Sequence, residues 1–317
     1  MTSGNTSRVA VTPPAISKSP FLRKSISNLF PDARFNDSGR YLTENELIGF
    51  CDGVEALLIG RDPLTEKVIA ALPQLRLVAK YGVGLDNLDI PAMEQRGVRL
   101  GWKAGVNRRS AAELAMTFIL GLCHNVFWTG NELKQGRWEK AGGVMLEGKT
   151  VGVIGCGHIG SDVVRLLQPF DCGILVRDIL NKHSFCAEMG AQQVGFDTVI
   201  QESDIVTLHV PLTDETRNLM DAWAFREMKP SAFLVNTSRG EVVDEKALKR
   251  ALTAGDITGA ALDVFAQEPP EDAELLACPN LFATPHIGGN AKEAVEAMAQ
   301  SAISFIVDHF KESGWIL

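Results

Sequence analysis

The stretch Thr150–Leu167, TVGVIGCGHIGSDVVRLL, sets a short apolar strand, a glycine turn and an apolar helix end to end. Val151, Val153 and Ile154 are strand formers, and Gly155-Cys156-Gly157-His158-Ile159-Gly160 follows them directly. In such a turn the first glycine permits the sharp reversal and the second lets the backbone approach a pyrophosphate. The third lets the helix pack closely on the strand. The helix start offers free N–H groups and a positive dipole end to an anion. The next apolar strand, GILVRD, ends at Asp178, eighteen residues after Gly160. A carboxylate there accepts a hydrogen bond from a ribose 2′-hydroxyl and repels a 2′-phosphate. The order strand, glycines, helix, strand, acid implies a dinucleotide site that takes NAD in preference to NADP. Arg177 is the dissonant neighbour, unless it faces solvent or stacks on adenine.

Outward from this motif the chain alternates strand and helix signals, the pattern of a parallel sheet covered on both faces. Downstream strands are expected at Ile174–Val176, Ile205–His209, Phe233–Asn236, Gly259–Asp263 and Leu281–Ala283, with a helix over Asp244–Thr253. Upstream, strands are expected at Arg8–Val11, Glu55–Ile59, Leu75–Ala79 and Val98–Leu100. A helix-like stretch runs to about Leu29, and another covers Thr65–Ala71. One long helix is expected from Ser110 to about Gly136, opened by a capping box at Ser110 and Glu113. A final helix covers Lys292–His309, and residues 1–7 read as a polar tail.

The chain has 317 residues, 45% hydrophobic and 22% charged. That is the profile of an ordinary globular protein of about two domains. Thirty-one basic against thirty-nine acidic residues leave a net charge of −8. Such a surface repels nucleic acid and anionic membranes, while an anionic metabolite can still enter a local basic pocket. The start, MTSGNTSRVAVTPP, lacks the apolar core of a secretory signal. The apolar run Leu114–Val126 is too short to span a bilayer. Six scattered cysteines form no C-x-x-C pair, which points to free thiols, no metal site and a cytoplasmic protein.

Three downstream segments carry ionisable residues just past strand ends: LVNTSRGEVVD with Arg239, GAALDVFAQEPP with Asp263 and Glu268, and LFATPHIGG with His286. Ligands of open α/β sheets bind at the carboxyl ends of strands, so all three can reach one crevice. Arginine grips a carboxylate through a planar fork. Histidine exchanges protons near neutrality, and a glutamate beside it stabilises imidazolium and fixes one tautomer. Together they suit hydride transfer to a carbonyl.

From about Val9 to about His309 the chain resembles the D-isomer-specific 2-hydroxyacid dehydrogenases, most nearly their short phosphoglycerate dehydrogenase-like members. The resemblance implies that Arg239, Glu268 and His286 are the catalytic set. It implies a Rossmann cofactor domain (107–289) inserted into a flavodoxin-like substrate domain built from both chain ends (1–106 and 290–317). His158 and Ile159 in the glycine turn, His209 and Pro211 in LHVPLT, and Thr237, Asp263 and Gly288 then fall to the cofactor. His209 is the competing histidine, read as a wall of the groove. The loop Tyr81–Asn87 (YGVGLDN) resembles the family loop that holds the substrate carboxylate, which makes Val83 and Gly84 substrate contacts. Asn107 faces substrate in phosphoglycerate-oxidising members. In that branch the positions of Arg61, Lys80 and Lys140 bind a phosphate. The expected reaction is therefore reversible NAD-dependent oxidation of a D-2-hydroxy acid, with 3-phosphoglycerate the first substrate named. Glyoxylate or hydroxypyruvate reduction and phosphite oxidation are alternatives, and a dinucleotide-sensing corepressor is the alternative of another class. The resemblance also implies a homodimer through Ser110–Leu133 and the arm to Val144.

Overall fold

A computed structural model describes residues 8–312, so the 1–7 tail lies outside the described residues. The chain divides into two compact units, 1–107 with 291–317, and 108–290. Each is a parallel sheet with helices on both faces.

The first unit holds β1 (Val9–Val11), β2 (Arg34–Phe35), β3 (Ala56–Ile59), β4 (Leu77–Lys80) and β5 (Arg99–Gly101), ordered β2-β1-β3-β4-β5. Its strands are buried on both faces, as all-parallel strands must be. Ala10, Leu57 and Val78 point into one core. Val9, Val11, Ala56, Leu58, Leu77 and Ala79 alternate into the other. The helix Lys292–Glu312 closes that second face through Met298, Ala302, Ile306 and Phe310, a four-residue spacing that lines one helix stripe. Gly101 admits this helix, because a Cβ there would stand 2.5 Å from Phe305 Cβ.

The second unit holds β6 (Thr150–Ile154), β7 (Gly173–Arg177), β8 (Gln192–Gln193), β9 (Ile205–Leu208), β10 (Phe233–Asn236), β11 (Gly259–Leu262) and β12 (Leu281–Ala283). Their order is β12-β11-β10-β9-β6-β7-β8. The chain runs outward from β6 to β8, then returns to place β9 on the other side of β6. That reversal leaves a crevice outside the carboxyl ends of β6 and β9.

Two expectations about the helix after residue 107 are corrected. It begins at Arg108, so Ser110 lies within it and forms no capping box; its hydroxyl donates instead to Gly288 O at 2.6 Å. It also ends at Cys123. Asn125 adopts φ 54°, a left-handed conformation that breaks the helical ladder, and a second helix, Val126–Lys134, leaves at 71°. The short edge strands β2 and β8 were not anticipated. Among the described residues no single helix is long and apolar enough to cross a membrane.

Candidate active site

The glycine turn after β6 follows the steric logic of its sequence. Gly155 has φ 91°, and a Cβ there would meet His209 O at 2.6 Å. At Gly160 a Cβ would stand 1.9 Å from Gly155 O, so only hydrogen lets the helix His158–Leu167 sit against the turn. Gly157 faces open space, with nothing within 4 Å of a built Cβ. Asp178, one residue past β7, accepts from Cys156 N at 2.7 Å and from Leu180 N at 2.8 Å. The carboxylate is thereby fixed beside the turn. Past β10, Thr237 carries a buried hydroxyl with no hydrogen-bond partner. An open glycine at a helix start, a fixed acid and an unsatisfied hydroxyl, all past the carboxyl ends of strands of one parallel sheet, fit a dinucleotide.

Past β12, His286 Nδ1 lies 2.9 and 3.0 Å from the two oxygens of Glu268. A carboxylate only accepts, so Nδ1 carries the proton and Nε2 is left for another partner. Glu268 Oε1 is steadied by Phe265 N–H at 3.3 Å. His286 itself sits at φ 55°, a region costly for a residue with a side chain, and such strain persists only where its surroundings enforce it.

Asp263 supplies that enforcement. Its carboxylate is 1% exposed and accepts three donors from the histidine loop. These are Thr284 Oγ1 at 2.5 Å, Ile287 N at 2.7 Å and Gly288 N at 2.7 Å. His286 N–H donates to Asp263 O at 2.8 Å. Asp263 and Gly288, expected at the cofactor, also bind each other within this loop, and Gly288 O accepts from Ser110.

Arg239 stands on a loop that Asn236 holds from inside. Asn236 Oδ1 accepts from Ser238 N and Oγ, and its Nδ2 donates to Arg239 O at 2.8 Å. Gly240 is packed so tightly on the Glu268 segment that a Cβ would lie 1.9 Å from Phe265 C. Asn236 and Gly240 were missed as site residues, although both lie within the quoted N-T-S-R-G segment.

His209, past β9, bonds Thr207 Oγ1 through Nε2 at 2.9 Å. Burial pushes its imidazole down to about 3, so near neutrality it is uncharged and gives up no proton. Burial likewise pushes the Cys156 thiol up to about 11, which keeps it un-ionised inside the glycine turn. Pro211 is exposed, its carbonyl accepting from Thr216 Oγ1 at 2.6 Å.

In the first unit, the Val83 and Gly84 N–H groups donate to no carbonyl among the described residues. Lys80 departs from the expectation of a phosphate ligand. It is 5% exposed, and its ammonium donates to Gly60 O and, at 2.6 Å, to Asn87 Oδ1. Asn87 Nδ2 donates to Asp62 O at 2.6 Å, so lysine and asparagine together clamp the far end of the 81–87 loop. Arg61 is exposed beside the Tyr41 ring, 5.7 Å from its centroid. Asn107 Oδ1 is buried without a partner. In the second unit Lys140 is fully on the surface of the segment after Trp138.

Residues 116–288 match the family "D-isomer specific 2-hydroxyacid dehydrogenase, NAD binding domain". The chain is 38% identical over 262 residues to a glyoxylate reductase of Korarchaeum cryptofilum, covering 80% of this chain and 78% of that one. It is 34% identical over 283 residues to a hydroxypyruvate reductase of Thermotoga maritima, covering 87% and 90%. A D-3-phosphoglycerate dehydrogenase of Archaeoglobus fulgidus is 37% identical over 257 residues, but the chain spans only 49% of its length. Among solved structures, D-lactate dehydrogenase from Aquifex aeolicus with NAD and lactic acid superposes with a TM-score of 0.83 at 26% identity, covering 96% of this chain and 95% of that one.

The state of His209 has a consequence for stability. In the unfolded chain it binds a proton near 6.5, and in the folded protein only near 3. The stability tied to its neutral form is complete above pH 6.5 and is lost as pH falls towards 3, by up to about 1.4 kcal/mol per pH unit. Urea unfolding at a series of pH values should show a shallower acid decline for His209→Gln than for the parent; parallel declines would reject this origin.

Proposed function

The chain belongs to the D-isomer specific 2-hydroxyacid dehydrogenases, and we propose that it reduces a small unphosphorylated 2-keto acid, glyoxylate or hydroxypyruvate, to the 2-hydroxy acid. The family is one of NAD-dependent oxidoreductases. The observation that carries this choice of substrate is the ammonium of Lys80, which is engaged by Gly60 O and Asn87 and is thus unsuited to gripping a phosphate.

NADH, when bound, would supply the hydride. The turn Gly155–Gly160 and the helix start behind it would hold the pyrophosphate, Asp178 the ribose hydroxyls, and Thr237 a further polar group. His286, its Nδ1–H kept by Glu268, presents Nε2 to the substrate oxygen and gives it a proton in reduction. In the reverse direction the same nitrogen accepts the proton. Glu268 stabilises the imidazolium that each cycle requires. Arg239 aligns the keto acid and stabilises charge on its oxygen. Asp263 keeps His286 in its strained backbone conformation, and His209, uncharged, walls the groove. The backbone donors of Val83 and Gly84 hold the carboxylate. The reading is that of a cytoplasmic enzyme acting on a small acid, with neither nucleic acid nor membrane as partner.

A second copy of the chain completes the assembly. Trp138 (77% exposed), Met145 (65%) and Leu133 stand in solvent, and the exposed Val126 lines a groove of ≈ 930 Å³ with Gly121, Phe127, Val144 and Phe282. An apolar stretch of this kind marks an interface. Analytical ultracentrifugation should return twice the chain mass, and Trp138→Glu with Met145→Glu should return the monomer; a monomeric parent would exclude the dimer.

His286→Ala should lower kcat on the order of 10²–10⁴-fold while NADH binding, read by fluorescence, stays nearly unchanged. Full retained activity would remove the proton role from His286. Lys80→Met removes the clamp on the 81–87 loop, so kcat/KM for glyoxylate and for 3-phosphoglycerate should fall together. A loss confined to the phosphorylated acid, roughly tenfold or more, would instead make Lys80 a phosphate ligand.

A further inference from the structure

Trp102 stands outside every motif quoted above, yet its indole N–H donates to Val83 O at 3.1 Å. Val83 is the middle of the glycine loop, and the peptide that follows its Cα joins its carbonyl to Gly84 N–H. A trans peptide is planar, with C=O and N–H pointing in opposite directions. A donor that fixes Val83 O therefore fixes the direction of Gly84 N–H, aiming it away from the indole. The rest of the loop leaves this angle free. Gly82 has φ 115°, a conformation only glycine adopts readily, and Gly84 has no side chain to wedge it. Lys80 and Asn87 hold the loop ends through Gly60 O and Asp62 O, away from the carbonyl that the indole engages.

We infer that Trp102 is a positioning residue for substrate binding: its indole N–H sets the orientation of the Val83–Gly84 peptide and so of the Gly84 donor that meets the substrate carboxylate. This rests on the reading of the 81–87 loop as the carboxylate cradle. Indole suits the task because it donates without accepting, so it cannot compete with the loop for the anion. Replacing it by phenylalanine keeps the ring packing and removes only the N–H. The peptide then rotates among orientations, of which a fraction bind, and the apparent affinity for the acid falls by that fraction.

The test compares the parent, Trp102→Phe and Gly84→Pro on hydroxypyruvate and on its methyl ester, which lacks the negative charge. For Trp102→Phe the expected result is a rise of about 3- to 10-fold in KM for hydroxypyruvate, the loss of one neutral hydrogen bond. kcat, the Kd for NADH and the melting temperature should hold, and KM for the ester should move far less. Gly84→Pro deletes the donor itself and should raise KM for the acid at least as much. If Gly84→Pro raises KM for the acid while Trp102→Phe leaves it unchanged, the role assigned to Trp102 is overturned and the cradle stands. That role is overturned equally if Trp102→Phe weakens acid and ester to the same extent. If Gly84→Pro retains melting temperature and full affinity for the acid, the cradle reading fails and the inference with it.

Discussion

The buried carboxylate of Asp263 is the constraint around which the catalytic end of the second unit is arranged. A charge taken from water is costly unless every lone pair finds a donor. Here Thr284, Ile287 and Gly288 provide three, all from one five-residue loop. Those bonds anchor the loop to the end of β11 and hold His286 at a φ that its side chain disfavours. With the backbone so held, the imidazole meets Glu268 through both carboxylate oxygens. Remove the acid and the loop keeps its sequence but loses the reason for its shape.

The sheet topology supplies the rest of the convergence. Because all strands of the second unit run parallel, every strand ends at the same rim. The glycine turn, His209, Thr237, Asp263 and the histidine loop follow β6, β9, β10, β11 and β12 in turn. Close contact between neighbouring loops then depends on residues without side chains. Gly155 meets the carbonyl of His209, Gly160 that of Gly155, and Gly240 the backbone of Phe265. The first unit uses different means to the same end, holding its own loop with a buried lysine, an asparagine and an indole.

Much of this was legible in the chain. The glycine turn, Asp178 and the longer strands of the second unit announce themselves through short-range pattern: apolar runs, fixed glycine spacing and an acid at a strand end. The pairing of Glu268 with His286 was legible only through resemblance, since nothing local marks one as the partner of the other. What sequence could not give is the destination of a polar group. Asp263 reads equally as a cofactor ligand and as a loop anchor. Lys80 reads as an anion site because its charge is visible and its burial is not. Ser110 and Glu113 match a capping pattern, but Arg108 and Arg109 extend the helix beyond them. Trp102 carries no signal at all, because a single indole in a loop is silent until its carbonyl partner is known.

The interruption of the first unit also sets the order in which the protein can be built. β1 and the helix Lys292–Glu312 share one core, with the Arg8 guanidinium 4.8 Å from the Phe310 ring centroid. That contact joins positions about three hundred residues apart. The second unit has no such dependence, since its sheet is drawn from one continuous stretch. On the ribosome, the unit begun later is therefore finished earlier. The strands β1, β3 and β4 must wait, with one apolar face uncovered, until the helix Lys292–Glu312 has emerged. Loop closure over such a span is slow, so this face is where nascent chains are open to aggregation and to chaperone capture.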